Sequence, residues 1–168
     1  METSTVQSAM MSSPIEVVRR LLANALNEDV VHELVSPTAT YVSLCYSNQD
    51  LKKIMPYAGV WDSKGPDAII YTFKTVNTIW KSEAFEIESI FGEGENVAVF
   101  GRFTYRSTVL GKAYTSPFAV HAKVQDGKVV YMLFMEDTFG TGATFAKDGK
   151  MTYEVEKGKE FEIVAPEA

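Results

Sequence analysis

Residues 85–136 constrain this chain most, because nearly the whole run reads as β-strand and its strongest turn signal, Asp126-Gly127, joins two strands into a hairpin. In FEIESIF, alternation sets Phe85, Ile87 and Phe91 on one face and Glu86 and Glu88 on the other. After a turn over residues 92–96, VAVFGRFTYRSTVL places Val97, Val99, Phe103, Tyr105 and Val109 on one face, with Arg102 and Arg106 opposite. YTSPFAVHAKV runs into the Asp-Gly turn and KVVYMLFMEDTF leaves it. Over residues 129–135 this last strand is apolar on both sides, which predicts helices over one face and a second subunit over the other.

The N-terminal half is helical in pattern. Ser13-Pro14 supplies an N-cap followed by proline at the first helical position, with Glu16 in the first turn, and Ile15, Val18, Leu22, Ala25 and Leu26 recur at helical spacing. Asn27 caps a second short helix, EDVVHELV, ended by Ser36-Pro37; ATYVSLCY then reads as a short strand. Residues 49–65 are irregular. Gly65-Pro66-Asp67 opens a third helix reaching residue 81, with Ile69, Phe73, Val76 and Trp80 on one stripe. Residues 1–13 read as a flexible leader, residues 14–140 as one domain, and residues 141–168 as an extension in which MTYEVEKGKEFEIV forms a polar hairpin. Helices first and long strands after them define a segregated α+β fold, a curved antiparallel sheet wrapped around three helices.

Composition removes several function classes. The 168 residues suit one domain, and 46% hydrophobic with 23% charged residues is an ordinary globule. Sixteen basic against 22 acidic residues, with no basic cluster, disfavours nucleic acid. No run approaches the ~20 apolar residues of a membrane span, and the first residues lack a basic flank followed by an apolar stretch, so a cytoplasmic protein is expected. Cys45 stands alone and reads as a small buried or half-buried residue. There is no phosphate loop, no GxSxG elbow and no HExxH metal signature.

The element order, together with FAVHAKVQDGKVVYMLFMEDTF, resembles the nuclear transport factor 2-like superfamily and, within it, the SnoaL-like polyketide cyclase and ketosteroid isomerase-like group. The resemblance covers about residues 14–140 and is carried by His121, the turn Asp126-Gly127-Lys128-Val129, and Asp137 near the end of the following strand. It implies a cystatin-like, cone-shaped α+β barrel, a homodimer through the outer sheet face, and no metal or organic cofactor. The fold hosts isomerases, cyclases, dehydratases, epoxide hydrolases and pure binding modules, so it implies no single function. Two patterns of the group are missing: the first helix, IEVVRRLLANAL, carries no Tyr, and no Asp-Arg-Asp trio appears in the strands.

Glu136 and Asp137 lie on opposite faces, so only one looks inward. By alternation Asp137 joins Val129, Tyr131, Leu133 and Met135, while Glu136 joins Val130, Met132 and Phe134. Read from the residues, the pair is either a pocket base and its neighbour, or two strand-end acids that sit in water or cap a turn; the resemblance implies that Asp137 is the pocket residue. His121 reads either as a proton shuttle or substrate hydrogen bonder, or as a half-exposed sheet histidine. Asp137 would abstract or relay a proton beside a carbonyl and either His121 or Tyr41 would stabilise the oxyanion charge, giving a catalytic set of Asp137, His121 and Tyr41. Tyr57, Trp61, Phe103, Tyr105, Phe118 and Met135 are the candidate lining for a small hydrophobic ligand; the aromatics read equally as filled core, with Tyr57 and Trp61 favoured for the pocket and Phe73 and Trp80 for the core. Two functions compete: a cofactor-independent isomerase, cyclase or dehydratase-like lyase on a small hydrophobic carbonyl compound, and a non-catalytic dimeric module binding an apolar ligand or a protein.

Overall fold

The structure, a computed structural model, describes residues 12–165; most of the expected leader lies outside them. Helix α1 (Pro14–Ala23) begins where Ser13 Oγ accepts the Glu16 amide at 3.3 Å, and it buries Val17, Val18, Leu21 and Leu22. Helix α2 (Glu28–Leu34) is capped by Asn27 and buries Val31 and Leu34. Strand β1 (Val35–Ser43), helix α3 (Gln49–Ile54) and strand β2 (Gly59–Trp61) follow. Helix α4 (Pro66–Ile79) starts from Gly65, whose φ of 58° and approach to the Pro37 carbonyl leave no room for a Cβ. It stops one residue short of Trp80, which opens strand β3 (Trp80–Glu93) instead of closing the helical stripe.

Strands β4 (Asn96–Ser107), β5 (Ala113–Gln125) and β6 (Lys128–Glu136) complete a six-stranded sheet in the order β2-β1-β6-β5-β4-β3. The sheet is mixed, not wholly antiparallel, because β1 runs parallel to β6 while the other pairs are antiparallel. Beyond β6 come a short helix, α5 (Thr138–Ala143), and a separate hairpin of β7 (Lys150–Glu156) and β8 (Lys159–Val164). The core lies between α1, α2 and α4 and one face of the sheet, where Val18, Val31, Ile69, Val99, Phe103, Val120 and Met132 pack together.

Two bulges decide which side chains reach that core. In β3 the register slips between Ile87 and Ser89, so Ile87 and Ile90 both pack inward and Phe91 is turned out to stack on Phe100 at 6.0 Å. In the β5–β6 hairpin, Gln125 opposes Lys128 and Val124 opposes Val129, but Lys123 opposes Tyr131, leaving Val130 as the extra residue. An uninterrupted hairpin would put His121 opposite Met132; the bulge moves it opposite Leu133.

Candidate active site

The β6 bulge sets the identity of the inward acid. Val129 is fully buried, and unbroken alternation from it would carry Asp137 inside. The extra residue at Val130 reverses the phase, so Met132, Phe134 and Glu136 face the helices while Tyr131, Leu133 and Met135 face out. Glu136 therefore takes the inward position assigned above to Asp137.

Glu136 lines a small chamber with Tyr41 and Ser43 of β1, Tyr57, Thr72 of α4, Trp80 and Tyr105. Tyr41 and Ser43 arrive together because residues two apart on a strand share a face. Glu136 keeps only partial solvent access, and burial pushes its carboxyl up to about 7, against the Thr141 hydroxyl, which pulls it down, while the Asp137 charge adds to the rise. Thr141 Oγ1 stands 2.8 Å from Glu136 Oε1 and 3.0 Å from the Asp137 carbonyl. Its single proton serves one of these at a time.

The tyrosines remain hydrogen-bond donors near neutrality. Burial raises Tyr41 and Tyr57 above the usual phenol range, and it raises Tyr105 to about 12 with help from the Glu136 charge. The Trp80 indole donates to the Tyr57 oxygen at 3.4 Å, which leaves the Tyr57 proton free to point elsewhere.

The chamber has a volume of about 20 Å³, little more than the roughly 10–15 Å³ that one water-sized group needs. It adjoins a cleft of about 770 Å³ between the α1–α2 turn, α4 and the start of β3. Phe73, Val76, Trp80 and Tyr105 line both, so the cleft and the chamber are neighbours sharing these four side chains as a wall, with Glu136 on the chamber side.

Asp137 does different work. It is the N-cap of α5: Oδ1 accepts the Gly140 amide at 3.1 Å and Oδ2 accepts the Tyr114 hydroxyl at 2.5 Å. These bonds, Tyr114 first, hold its carboxyl below the ordinary carboxylate range. His121 lies on the outer face, its Nε2 3.1 Å from Asn96 Oδ1 and its ring edge-on to Tyr131 at 5.8 Å. The outer face also carries Met135, 43% exposed.

Of the nine residues proposed from sequence, Tyr41, Tyr57 and Tyr105 line the chamber and the other six do not. Trp61 packs on Tyr71 at 5.2 Å and donates to the Tyr57 carbonyl at 2.8 Å, away from both cavities. Phe103 and Phe118 are buried core, Phe118 being stacked between Phe85 at 4.8 Å and Phe134 at 5.4 Å. Residues missed were Ser43, Thr72, Trp80 and Thr141; Trp80 was legible as buried, and nothing in the pattern marks the others. Arg102 pairs with Glu86 and Arg106 with Glu83 on the solvated face. Among the described residues no three His, Cys, Asp or Glu side chains gather as a metal site, and no helix is long and apolar enough to cross a membrane.

A curved six-stranded sheet closed on one face by helices around an inward carboxyl defines a cone-type α+β protein, and residues 18–132 match the SnoaL-like domain, so the chain belongs to the SnoaL-like family. It is 40% identical to patulin synthesis protein F of Aspergillus clavatus over 139 residues, spanning 81% of this chain and 70% of that protein. It is 37% identical to patulin biosynthesis cluster protein F of Penicillium expansum over the same shares. A nuclear transport factor 2-like protein of Burkholderia thailandensis has the same fold, with a TM-score of 0.68 at 19% identity over 81% of this chain and 99% of that one.

Proposed function

We propose that this protein is a cofactor-independent proton-transfer enzyme, of the isomerase, cyclase or dehydratase-like lyase type, acting on a small carbonyl compound. The observation that carries the reading is Glu136: a carboxyl raised to about 7 that faces a chamber lined by three protonated tyrosines. A base with that pKa is substantially ionised at neutral pH, yet strong enough to take a proton from carbon beside a carbonyl. Tyr57, Tyr41 or Tyr105 would donate to the oxygen on which enolate charge develops. Glu136, then neutral, would return the proton to another atom of the substrate, giving an isomer, or to a departing hydroxyl, giving an alkene and water. The ligand body would lie in the apolar part of the cleft, against Phe73, Val76 and Trp80. Relatives named for patulin synthesis support a step in small-molecule biosynthesis.

The reading is tested without knowing the natural substrate. In D₂O, the protein should exchange the hydrogens beside the carbonyl of a hydroxycyclohexanone, followed by proton NMR. Glu136→Gln should lower that rate by roughly a hundred- to ten-thousand-fold, the usual contribution of a positioned base; an unchanged rate would remove Glu136 from the mechanism. We further propose a homodimer through the outer sheet face, supported by the exposed Phe91, Phe100 and Met135 on it.

A further inference from the structure

The Ser43 and Thr72 hydroxyls, on β1 and α4, are the buried side-chain oxygens that find no hydrogen-bond partner of ordinary geometry among the described residues, although Ser43 stands near enough to the Tyr41 hydroxyl to offset part of the rise that burial gives that phenol. Both residues are buried, Ser43 at 0% and Thr72 at 3% exposure, and both line the chamber that holds Glu136. Buried polar groups are nearly always paired, because an unmet donor or acceptor keeps its full desolvation cost. Threonine and serine are also poor choices for packing alone: valine or alanine would fill the same space without a stranded hydroxyl. Thr72 is unexplained as packing, and Ser43, whose polar neighbour is the Tyr41 hydroxyl, faces the same chamber, where a ligand oxygen would meet both.

The size of the chamber narrows the ligand. At about 20 Å³ it takes a single oxygen and no ring, whereas the adjoining 770 Å³ cleft accommodates a small cyclic body. We propose that Ser43 and Thr72 form a subsite for one oxygen of the substrate, and that the substrate class is a small cyclic carbonyl compound bearing a second oxygen function. One oxygen enters the chamber and meets Ser43 and Thr72, and the other stays on the cleft side against Tyr105, which lines both spaces. The two hydroxyls thus separate oxygenated rings from their hydrocarbon analogues, since a site built to bond an oxygen rejects the isostere that lacks it. The inference rests on the chamber being the substrate site, and it concerns binding alone.

The test compares isosteric pairs: 3- and 4-hydroxycyclohexanone against 3- and 4-methylcyclohexanone, with dissociation constants from ligand-observed NMR. The wild-type protein should bind at least one hydroxy ketone about tenfold or more tighter than its methyl partner. Ser43→Ala with Thr72→Val should abolish that preference. The same double variant should have an unchanged or raised melting temperature, because it removes two unpaired buried hydroxyls from the ligand-free protein. A wild-type protein that prefers the methyl ketones, or binds no hydroxy ketone at all, overturns the subsite. So does a variant that keeps the preference, or one whose melting temperature falls, since the hydroxyls would then be serving the fold. Glu136→Gln separates this from the catalytic reading: a variant that still exchanges deuterium but keeps the hydroxy preference refutes the base and leaves the subsite standing.

Discussion

Glu136 and Asp137 are bonded neighbours that leave one strand end in opposite directions, and their carboxyls shift in opposite directions as well. Glu136 is pushed up to about 7 by burial in the chamber, while Asp137 is held down by the Tyr114 hydroxyl and the Gly140 amide. One residue of backbone bulge separates the two fates.

A raised folded-state pKa costs stability wherever the unfolded state ionises first. Glu136 has an ordinary value of 4.5, so its penalty is absent below about pH 4.5, grows as pH rises, and is complete above about 7. The gap between 4.5 and about 7 corresponds to at most about 3.5 kcal/mol. Glu136→Gln should therefore be more stable than wild type at pH 8 and nearly equal to it at pH 4, by urea unfolding at each pH. Equal stability at both values would mean that the carboxyl is solvated.

Asp137 behaves in the opposite sense. Its lowered folded-state pKa contributes stability that is present above its ordinary 3.8 and is lost as pH falls through the folded value. Asp137→Asn keeps an oxygen for the Gly140 amide but loses the charge that receives the Tyr114 hydroxyl. Its melting temperature should drop at pH 7, and the difference should close under strongly acidic conditions.

Gly140 leaves room for the Tyr114 ring, since a Cβ there would sit 2.1 Å from the ring's Cζ. Gly140→Ala should destabilise by about 1–3 kcal/mol through overpacking. In a Tyr114→Ala background the same change should cost much less, which a double-mutant cycle by urea unfolding would show.

How much of this was legible in the sequence follows from which features are local. The caps at Ser13 and Asn27, the alternation in β4 and the Asp-Gly turn depend on neighbouring residues, and they fixed the α+β order and the arginine face. The inward acid depends on where β6 bulges, and Tyr131, Leu133 and Met135 are as apolar as Met132 and Phe134, so hydrophobicity could not choose between the faces. Trp80 continues the helical stripe of Val76 at a spacing of four, which disguised the helix end, and TFGTGA has neither periodicity nor a good helix former beyond one alanine to announce α5. His121 shares a strand face with Ala119 and Lys123, and only the pairing with Leu133 shows that this face looks outward.

The α5 turn is also what tunes the base. Thr141 reaches Glu136 Oε1 from that helix, and a donor to the charged form lowers a carboxyl's pKa. Thr141→Val should raise the Glu136 midpoint further, and Thr141→Ser should restore it. A midpoint unmoved by valine would show that the hydroxyl bonds the Asp137 carbonyl instead.

All of this turns on the ionisation of one side chain, which carbon-13 NMR reads from the glutamate Cδ resonances of labelled protein, with Glu136→Gln to assign the signal. The Glu136 resonance should titrate with a midpoint near 7. A midpoint near the ordinary glutamate value of 4.5 would contradict the buried base and with it the proposed proton transfer.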